Sequence, residues 1–267
     1  MREDFMFRYT TLGTGGKARV SVAEKPSELC SGAVILGGGS NVLIGQNNLP
    51  DFIINKTKGI EFSGETALVA SGEKIQRLCT LATLKGLSGL EWAWGLPGTL
   101  GGAIIGNAGA AGGDTASVIE KVNVVRGGKN LWLSRDECGF SYRKSGFLPG
   151  DVIVSAIIKL KKSGCKQIEN NLLRAKELRS RQPKGRSAGC IFKNPPTGSI
   201  GKMLDELGFK GKREGGAMVS TEHANFIVNA DNATPLDVYT LIKRMESAVE
   251  KAFGFTPGRE IKIYGEF

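Results

Sequence analysis

The sequence predicts an α+β protein, with a β-rich N-terminal unit followed by a smaller α+β domain. Two patterns favour this fold class. Short apolar runs separated by glycine-containing turns fill roughly the first 160 residues, as is typical of strands. Helical spacing of apolar residues dominates only after Lys162. The length of 267 residues allows about two domains.

The N-terminal unit is expected to contain one good helix among short strands. Apolar residues recur at helical spacing at Ile75, Leu78 and Ala82, which predicts a helix over Glu73–Lys85. Gly86 stands where a C-cap is expected. The predicted strands are Arg19–Val22, Ala33–Leu36, Phe52–Ile54, Ala67–Ala70, Val122–Arg126, Asn130–Leu133 and Val152–Leu160.

The C-terminal domain is expected to alternate helices and strands. Its clearest helix is Pro235–Phe253, because proline is favoured at a first helical position and Gly254 follows the last. Thr234 and Asp237 resemble a capping box at its start. The other predicted helices are Gln167–Arg181 and Met203–Leu207, and the predicted strands are Met218–Ser220, Phe226–Val228 and Glu260–Tyr264.

Two glycine-rich stretches are the most informative local feature. Eight of the nineteen residues from Gly95 to Gly113 are glycine, and Leu36–Asn41 (LGGGSN) directly follows an apolar run. Such loops present main-chain N–H groups that can surround the oxygens of a diphosphate. Neither stretch fits GxxxxGK[ST] or GxGxxG. Tight turns in a β-rich domain remain the alternative for LGGGSN alone.

The composition indicates an anionic partner. Lys and Arg number 36 against 26 Asp and Glu, a formal charge of +10 that favours nucleic acids, nucleotides or nucleotide-sugars. The aromatic fraction is only 7%, and the richest basic stretch, Arg174–Arg186, can equally be the solvated face of a helix. Composition alone does not choose among these ligands.

The cysteines and the apolar runs indicate the compartment. The five cysteines are scattered without a CxxC pair, which favours reduced thiols over disulfides or a zinc site. No apolar run approaches the ~20 residues that span a bilayer. The N-terminus lacks the apolar segment of a signal peptide. We therefore expect a cytoplasmic protein that binds no metal and no membrane.

The single histidine restricts the chemistry. His223 lies between two predicted strands, where a structural role in a turn is the favoured interpretation. A site with several histidines is excluded, so acid–base chemistry has to come from carboxylates, lysines, tyrosines or thiols. Any flavin in the N-terminal half cannot be attached through histidine.

Three segments carry residues suited to chemistry. Arg143, in Phe140–Ser145, has the planar fork that matches a carboxylate or phosphate. Cys190 lies among small residues, and an unperturbed thiol, with a pKa near ~8.5, keeps its proton at neutral pH and can donate it. Glu260 starts a predicted strand between basic residues. A buried inert thiol and a surface ion pair are the alternatives for Cys190 and Glu260.

Together these motifs resemble the UDP-N-acetylenolpyruvoylglucosamine reductase family, over nearly the whole chain and in the family's order. The matching motifs are Thr10–Thr11 before Gly15–Gly16, LGGGSN at 36–41, the glycine-rich stretch at 86–113, Tyr142–Ser145, SAGCIFKNP at 187–195, GAMVSTEHANFIVN at 216–229, and Glu260.

The resemblance implies a flavoenzyme of bacterial wall synthesis. It implies a vanillyl-alcohol-oxidase-type FAD-binding unit over 1–162, in two subdomains (about 1–54 and 55–162), and a substrate-binding domain over 163–267. It further implies that non-covalent FAD would be reduced by NADPH. The flavin N5 would then pass hydride to C3 of UDP-N-acetylglucosamine-enolpyruvate (UDP-GlcNAc-enolpyruvate), and an enzyme acid would protonate C2, giving UDP-N-acetylmuramate. We expect a monomer that binds no nucleic acid.

The resemblance also assigns roles to residues. Cys190 takes the place of the proton donor, Arg143 that of the substrate-carboxylate ligand and Glu260 that of the polarising carboxylate. Substrate contacts fall on Tyr142, Arg181, Lys193 and Asn194. Cofactor contacts fall on Leu36, Gly37, Gly38, Gly39, Ser40, Asn41, Gly95, Pro97, Gly98, Thr99, Gly101, Gly102, Ala103, Asn107, Ala108 and Gly109.

The chain departs from the family pattern at three places. Many relatives have serine where Cys190 stands. A usual helix between Pro26 and Gly37 is expected to be truncated, and residues 162–167 leave no room for an inserted substrate-covering loop. We therefore expect the loop-less second type. Two other functions stay open: a flavin oxidase or dehydrogenase of the same fold, and a basic nucleotide- or RNA-binding module without catalysis.

Overall fold

The computed structural model describes residues 1–30 and 32–267. The α-helices are α1 (Ile75–Leu84), α2 (Leu100–Gly106), α3 (Cys165–Ser180), α4 (Ile200–Glu206) and α5 (Pro235–Phe253), and short 3₁₀ helices cover Met6–Tyr9, Pro26–Glu28 and Glu91–Ala93. The strands are β1 (Arg2–Phe5), β2 (Lys17–Ala23), β3 (Val34–Leu36), β4 (Val42–Ile44), β5 (Phe52–Asn55), β6 (Ile60–Ser63), β7 (Thr66–Ala70), β8 (Leu87–Ser88), β9 (Gly109–Ala110), β10 (Gly113–Asp114), β11 (Ile119–Arg126), β12 (Lys129–Ser134), β13 (Val152–Lys159), β14 (Lys161–Lys162), β15 (Ser187–Cys190), β16 (Arg213–Glu214), β17 (Ala217–Val219), β18 (Phe226–Asn229) and β19 (Lys262–Tyr264).

The predicted α+β class is confirmed, and most predicted elements are present. Helix α5 has the predicted bounds, with a capping box between Thr234 and Asp237 and Gly254 at its C-cap. Two expectations were wrong in detail. The glycine-rich stretch contains helix α2, although we expected only one good helix in this half of the chain. Glu260 precedes the final strand, which begins at Lys262.

One compact unit comprises Ser21–Gly38 and Phe52–Ser180, and we call it the glycine-loop unit. Its main sheet is antiparallel, in the order β12-β11-β13-β7-β6. Helices α1 and α2 contribute apolar side chains to its core, among them Leu78 and Ile104. The parallel pair of β3 and β5 places the end of β3, and therefore Gly37 and Gly38, within this unit.

The other compact unit comprises Met1–Val20, Gly39–Asp51 and Arg181–Phe267, and we call it the terminal unit. Its antiparallel sheet has the order β15-β18-β17-β16. Helices α4 and α5 share a core with this sheet, which includes Phe192, Leu204 and Leu241. Strand β19 pairs in parallel with β4, so the last strand of the chain lies beside the strand that follows LGGGSN.

These units do not follow the predicted boundaries at 54 and 162. Residues 39–51 pack with the C-terminal part of the chain, because β4 pairs with β19. Helix α3 packs instead in the glycine-loop unit, where Asn171 contacts Glu91 and Lys176 lies over Trp94. The assignment of FAD to 1–162 and of substrate to 163–267 stays a prediction.

Three further expectations concern single segments. Between Pro26 and Gly37, among the residues that the structure describes, the only helical turn is the 3₁₀ helix at Pro26–Glu28. Residues 163–164 connect β14 to α3 without an inserted loop, and the loop-less subtype stays a prediction. In the described ranges, every helix is too short or too polar to cross a bilayer.

Candidate active site

The two glycine-rich stretches touch within the glycine-loop unit. A Cβ built on Gly38 would lie 2.6 Å from the Cα of Gly98, and one built on Gly37 would overlap the Thr99 hydroxyl. Only glycine permits this approach, because any side chain at Gly38 would press on the opposite main chain. LGGGSN therefore meets the second glycine-rich stretch at Gly37 and Gly38.

Some of the main-chain N–H groups near this contact donate hydrogen bonds within the protein. Leu100 and Gly101 donate to the carbonyls of Glu73 and Ser71, both at 2.8 Å. Gly102 donates to the Thr99 hydroxyl at 3.5 Å. These bonds satisfy the first turn of α2, so the predicted ligand contacts of Gly101 and Gly102 cannot come from these N–H groups.

Four other N–H groups remain for a ligand. Those of Gly37, Gly38, Gly98 and Thr99 donate to no acceptor in residues 1–30 and 32–267. They lie on the two stretches that touch. Successive main-chain N–H groups in such loops bind anions, and a diphosphate is the anion that suits several of them at once.

Asn107 ends helix α2 with its side chain committed to the protein. Its φ of 40° is left-handed, as is common for asparagine at a helix C-terminus. Its amide donates to the Ser141 carbonyl at 3.0 Å and accepts from the Ala116 N–H at 2.9 Å. The predicted cofactor contact of Asn107 therefore cannot use these two bonds, and the side chain instead holds the loop that carries Arg143.

Arg143 is held against the C-terminal end of the glycine-rich helix. Its guanidinium donates to the Gly109 carbonyl at 2.5 Å and to the Asn107 carbonyl at 3.5 Å. Its φ of 52° is unusual for a residue with a long side chain. The guanidinium also lies 5.5 Å from the centre of the Tyr142 ring. The Arg143 guanidinium and the Tyr142 ring therefore lie side by side.

Cys190 ends β15 at an irregular step in the terminal unit. Ser187 pairs with Val228 and Cys190 with Phe226, so Ala188 and Gly189 lie opposite the single residue Ile227. Gly189, inside this bulge, has a φ of 75°. Bulges re-aim side chains and are common beside active sites. The thiol is half-buried.

Glu260 lies beside Cys190 in the same unit. The Glu260 N–H donates to the carbonyl of Ile191 at 2.8 Å. The side-chain amide of Asn41 donates to the Glu260 carbonyl at 3.1 Å. The segments that carry Cys190, Glu260 and Asn41 are therefore hydrogen-bonded to one another within the terminal unit.

A charged pair anchors the segment that carries Glu260. Arg259 makes two hydrogen bonds to the carboxylate of Glu246, one a short bond from Nε and one of 2.8 Å from Nη2. Burial raises the pKa of Glu246, but the hydrogen bonds from Arg259 and Lys243 outweigh burial and hold it below the ordinary value. Arg259, one of the basic residues beside Glu260, therefore has a structural role.

The predicted substrate residues divide between the units. Lys193 and Asn194 follow Cys190 in the terminal unit, which also includes the exposed Arg181, whereas Tyr142 belongs to the glycine-loop unit and is 56% exposed. The Asn194 side-chain oxygen accepts the Ile200 N–H at 3.1 Å, so part of this side chain orders the start of α4. The roles of Arg143, Cys190 and Glu260 toward one substrate stay a prediction.

The remaining predicted cofactor residues belong to the same two glycine-rich stretches of the chain. Ala103 and Ala108 donate to the carbonyls of Thr99 and Ala103, and the Gly109 carbonyl is the acceptor from Arg143. Gly39 belongs to the terminal unit, where a Cβ would overlap the Tyr9 carbonyl. Leu36 is buried at the end of β3, Gly95 and Pro97 precede the contact at Gly98, and Ser40 lies between Gly39 and Asn41.

Three further titratable residues, Cys79, Cys138 and His223, are interpreted as structural. Burial raises the pKa of Cys79 and of Cys138 to about 11, so both thiols keep their protons at neutral pH. The His223 ring accepts the Asn225 N–H at its Nδ1, which agrees with the structural interpretation of this residue. Within the described ranges, His, Cys, Asp and Glu form no group of three that suits a metal ion.

Sequence reasoning missed the residues that support the candidate site through hydrogen bonds to its main chain. Ser71 and Glu73 accept from the first turn of α2 through main-chain carbonyls, which carry no residue-type signal. Asn225 is buried and pairs through its side-chain amide with both main-chain groups of Phe192. The sequence shows that Asn225 belongs to the motif at 216–229, but it does not show that Phe192 is its hydrogen-bond partner.

Comparison with known proteins identifies relatives of both parts of the chain. A profile of the C-terminal domain of UDP-N-acetylenolpyruvoylglucosamine reductase matches residues 181–264, and a profile described as an FAD binding domain matches residues 32–131. A reductase of that name from Thermus thermophilus is 38% identical over 242 residues, which covers 89% of this chain and 91% of the relative.

Two further relatives support the match. The reductase of Thermotoga maritima is 40% identical over 238 residues, covering 86% of this chain and 83% of the relative. The crystal structure of the corresponding reductase from Thermus caldophilus superimposes with a TM-score of 0.89 at 34% identity, and the alignment covers 98% of each chain.

We predict that Gly38→Ala weakens binding of FAD by at least about tenfold, because an added methyl that forces the two loops apart costs about 1–3 kcal/mol. Titration of the apoprotein with FAD, followed by flavin fluorescence, measures this. Gly164→Ala is the matched control, since open space surrounds a Cβ at that position. Equal affinities in the two variants would contradict the prediction.

We predict that Glu246→Gln destabilises the protein by about 1.5–3 kcal/mol at neutral pH, the range for hydrogen bonds to a charged group. The lowered pKa of Glu246 means that its contribution is present above the unfolded pKa, near ~4.3, and is lost as the pH falls through the folded value. Urea unfolding from pH 7 to pH 3 should therefore show a smaller loss of stability in the variant than in the wild type.

The control for this prediction is Asp205→Asn, which removes an exposed ion pair with Lys210 in the same unit. Exposed pairs contribute at most about 1 kcal/mol. A loss in Glu246→Gln no larger than in this control would show that the Arg259 pair does not stabilise the segment at Glu260.

Proposed function

The chain belongs to the UDP-N-acetylenolpyruvoylglucosamine reductase family, and we propose that it reduces UDP-GlcNAc-enolpyruvate to UDP-N-acetylmuramate with NADPH as the reductant. It is an oxidoreductase of peptidoglycan precursor synthesis with an FAD-binding domain. One observation supports the more detailed proposal: the Glu260 N–H donates to the carbonyl of Ile191, the residue after Cys190, so Cys190 and Glu260 lie on adjacent segments.

The residues at the glycine loops fit a bound FAD. The contact of Gly38 with Gly98 forms a cradle that a side chain would fill, and main-chain N–H groups on both loops remain available to phosphate oxygens. We assign the diphosphate of FAD to Gly37, Gly38, Gly98 and Thr99. When bound, the flavin supplies hydride transfer, which none of the side chains can supply.

Arg143 is proposed to bind the carboxylate of the substrate. Addition of hydride at C3 of an enolpyruvyl group develops negative charge on that carboxylate, and a fixed cation stabilises the developing charge more than the ground state. The carbonyls of Asn107 and Gly109 orient the guanidinium in advance. The left-handed backbone of Arg143 costs on the order of 1–3 kcal/mol, a strain of the kind found at functional sites.

Cys190 is proposed to donate the proton to C2, and Glu260 to polarise the substrate beside it. The bulge at Gly189 aims the thiol, and the hydrogen bond between Glu260 and Ile191 holds the two segments in register. The family resemblance implies serine at this position in many members, and thiol is the stronger acid, so the exchange would preserve proton donation.

The UDP moiety is assigned to cationic and polar side chains. Tyr142, Arg181, Lys193 and Asn194 are proposed to contact the nucleotide and its diphosphate. The formal charge of +10 favours such an anionic ligand and also NADPH. Nothing in this assignment requires a metal ion.

The first test is the absorption spectrum of the purified protein. We expect a flavin band that is bleached by NADPH without oxygen and restored by UDP-GlcNAc-enolpyruvate, because one site must accept both. A colourless protein that takes up no added FAD would falsify the proposal. Reduction by an alcohol or hydroxy acid, but not by NADPH, would instead support a flavin oxidase or dehydrogenase.

The second test separates the roles of the thiol. We expect Cys190→Ala to leave bleaching by NADPH unchanged and to slow the return of the flavin band with the enolpyruvyl substrate by about 10²–10⁴-fold, the usual contribution of general acid catalysis. Cys190→Ser should restore much of this rate. Stopped-flow absorbance measures both steps, and equal rates in Cys190→Ala and the wild type would remove Cys190 from the mechanism.

A further inference from the structure

The peptides that follow Cys190 are held from two sides. On one side, the Ile191 carbonyl accepts the N–H groups of Glu260 at 2.8 Å and Ile261 at 3.3 Å. Two residues further along, the Lys193 N–H donates to the Gly258 carbonyl at 2.8 Å. This side ties the thiol segment to the segment of the proposed polarising carboxylate.

Asn225 holds the same peptides from the other side. Its main-chain carbonyl accepts the Ile191 N–H at 2.9 Å. Its side-chain oxygen accepts the Phe192 N–H at 3.0 Å, and its side-chain nitrogen donates to the Phe192 carbonyl at 2.8 Å. One residue thereby satisfies three main-chain groups of two successive residues, and it is only 2% exposed.

This clamp directly follows an irregular step in the strand pairing. Between Ser187 and Cys190, two residues of β15 lie opposite one residue of β18, and such a bulge disrupts the ladder locally. Pairing resumes between Cys190 and Phe226, and the Asn225 bonds begin at the next residue. The Asn225 side chain therefore supplements the sheet pairing on the C-terminal side of the bulge.

Asn225 is in turn oriented by the single histidine. The His223 Nδ1 accepts the Asn225 N–H at 3.1 Å, which requires the neutral ring with its proton on Nε2. Burial lowers the pKa of His223, and nearby Lys210 lowers it further, so the ring stays neutral at physiological pH. The turn at residues 223–225 thus keeps one hydrogen-bonded arrangement.

We propose that Asn225 is a positioning residue for proton transfer: it fixes the Cys190 thiol relative to Glu260 by clamping the peptides of Ile191 and Phe192. The proposal rests on the proposed function, since Cys190 matters for the reaction only as its proton donor. Asn225 itself acts through main-chain groups. A displacement of the donor of about 1 Å can slow a reaction about 100-fold.

The principal test compares Asn225→Leu with Asn229→Leu. Leucine keeps the approximate volume but leaves the Phe192 N–H and carbonyl without their side-chain partner. Asn229, at the other end of β18, also bonds to main chain through its side chain. It donates to the carbonyls of Leu12 at 3.0 Å and Gly13 at 3.5 Å, and it accepts the Ala233 N–H at 2.8 Å. It is therefore a matched control for loss of a structural asparagine.

The first readout needs neither flavin nor substrate. Alkylation of Cys190 by iodoacetamide is followed by peptide mass spectrometry, with the exposed Cys165 as the internal reference. We expect the ratio of the Cys190 rate to the Cys165 rate to change several-fold in Asn225→Leu and to stay at the wild-type value in Asn229→Leu. An unchanged ratio in Asn225→Leu would overturn the proposal.

The second readout uses the FAD-loaded enzyme. We expect Asn225→Leu to keep the wild-type rate of flavin bleaching by NADPH but to slow the return of the flavin band by about 10–100-fold, with a larger solvent deuterium isotope effect. Equal slowing in Asn229→Leu would reduce Asn225 to a stabilising residue. A wild type that binds no FAD would reject the proposed function, whereas the alkylation ratio would still test the clamp.

A third variant covers the case in which Asn225→Leu does not fold. Protonated aspartate is isosteric with asparagine and can make both bonds to Phe192, whereas ionised aspartate cannot donate. Burial raises the pKa of a carboxyl group, so we expect Asn225→Asp to approach the wild-type Cys190 alkylation ratio as the pH falls from 8 to 5. A difference from wild type that does not shrink at low pH would overturn the clamp.

Discussion

The approach of two main chains at Gly38 and Gly98 is the constraint on which the cofactor site depends. With a Cβ-to-Cα separation of 2.6 Å for a built side chain, no other residue type fits without moving a loop. The main-chain carbonyls of Ser71 and Glu73 fix α2, and thereby one side of the contact, while the β3–β5 pair fixes the other. A diphosphate site built from peptide groups needs this precision, because such groups cannot adjust as side chains do.

The same helix links the cofactor loops to the proposed substrate arginine. Asn107 closes α2 and binds the Ser141 carbonyl, and the carbonyls at the helix end orient Arg143. The cation is therefore attached to the element whose first turn forms the glycine contact. The strain in the Arg143 backbone is offset by these bonds, since a residue in such a conformation persists only when its surroundings hold it.

In the terminal unit, the main-chain groups of Ile191 connect the segments around the thiol. The Ile191 N–H donates to the Asn225 carbonyl, and the Ile191 carbonyl accepts the Glu260 N–H. Three distant parts of the chain therefore meet at the residue next to Cys190. The Arg259–Glu246 pair anchors the same place from helix α5. Proton donation needs a donor at a defined distance from the acceptor carbon, and a bulged strand alone would leave that distance variable.

The sequence by itself determined the fold class, the bounds of α5 and the identity of the glycine stretches, because caps, periodicity and glycine density are local signals. It also indicated Arg143, Cys190 and Glu260 through ordered motifs. The tertiary structure alone decided which N–H groups remain for a ligand, that residues 39–51 pack with the C-terminal part of the chain, and that Asn225 holds the segment at Cys190. Those features arise from main-chain hydrogen bonds and parallel pairing between distant segments, which depend on position in space rather than on residue type.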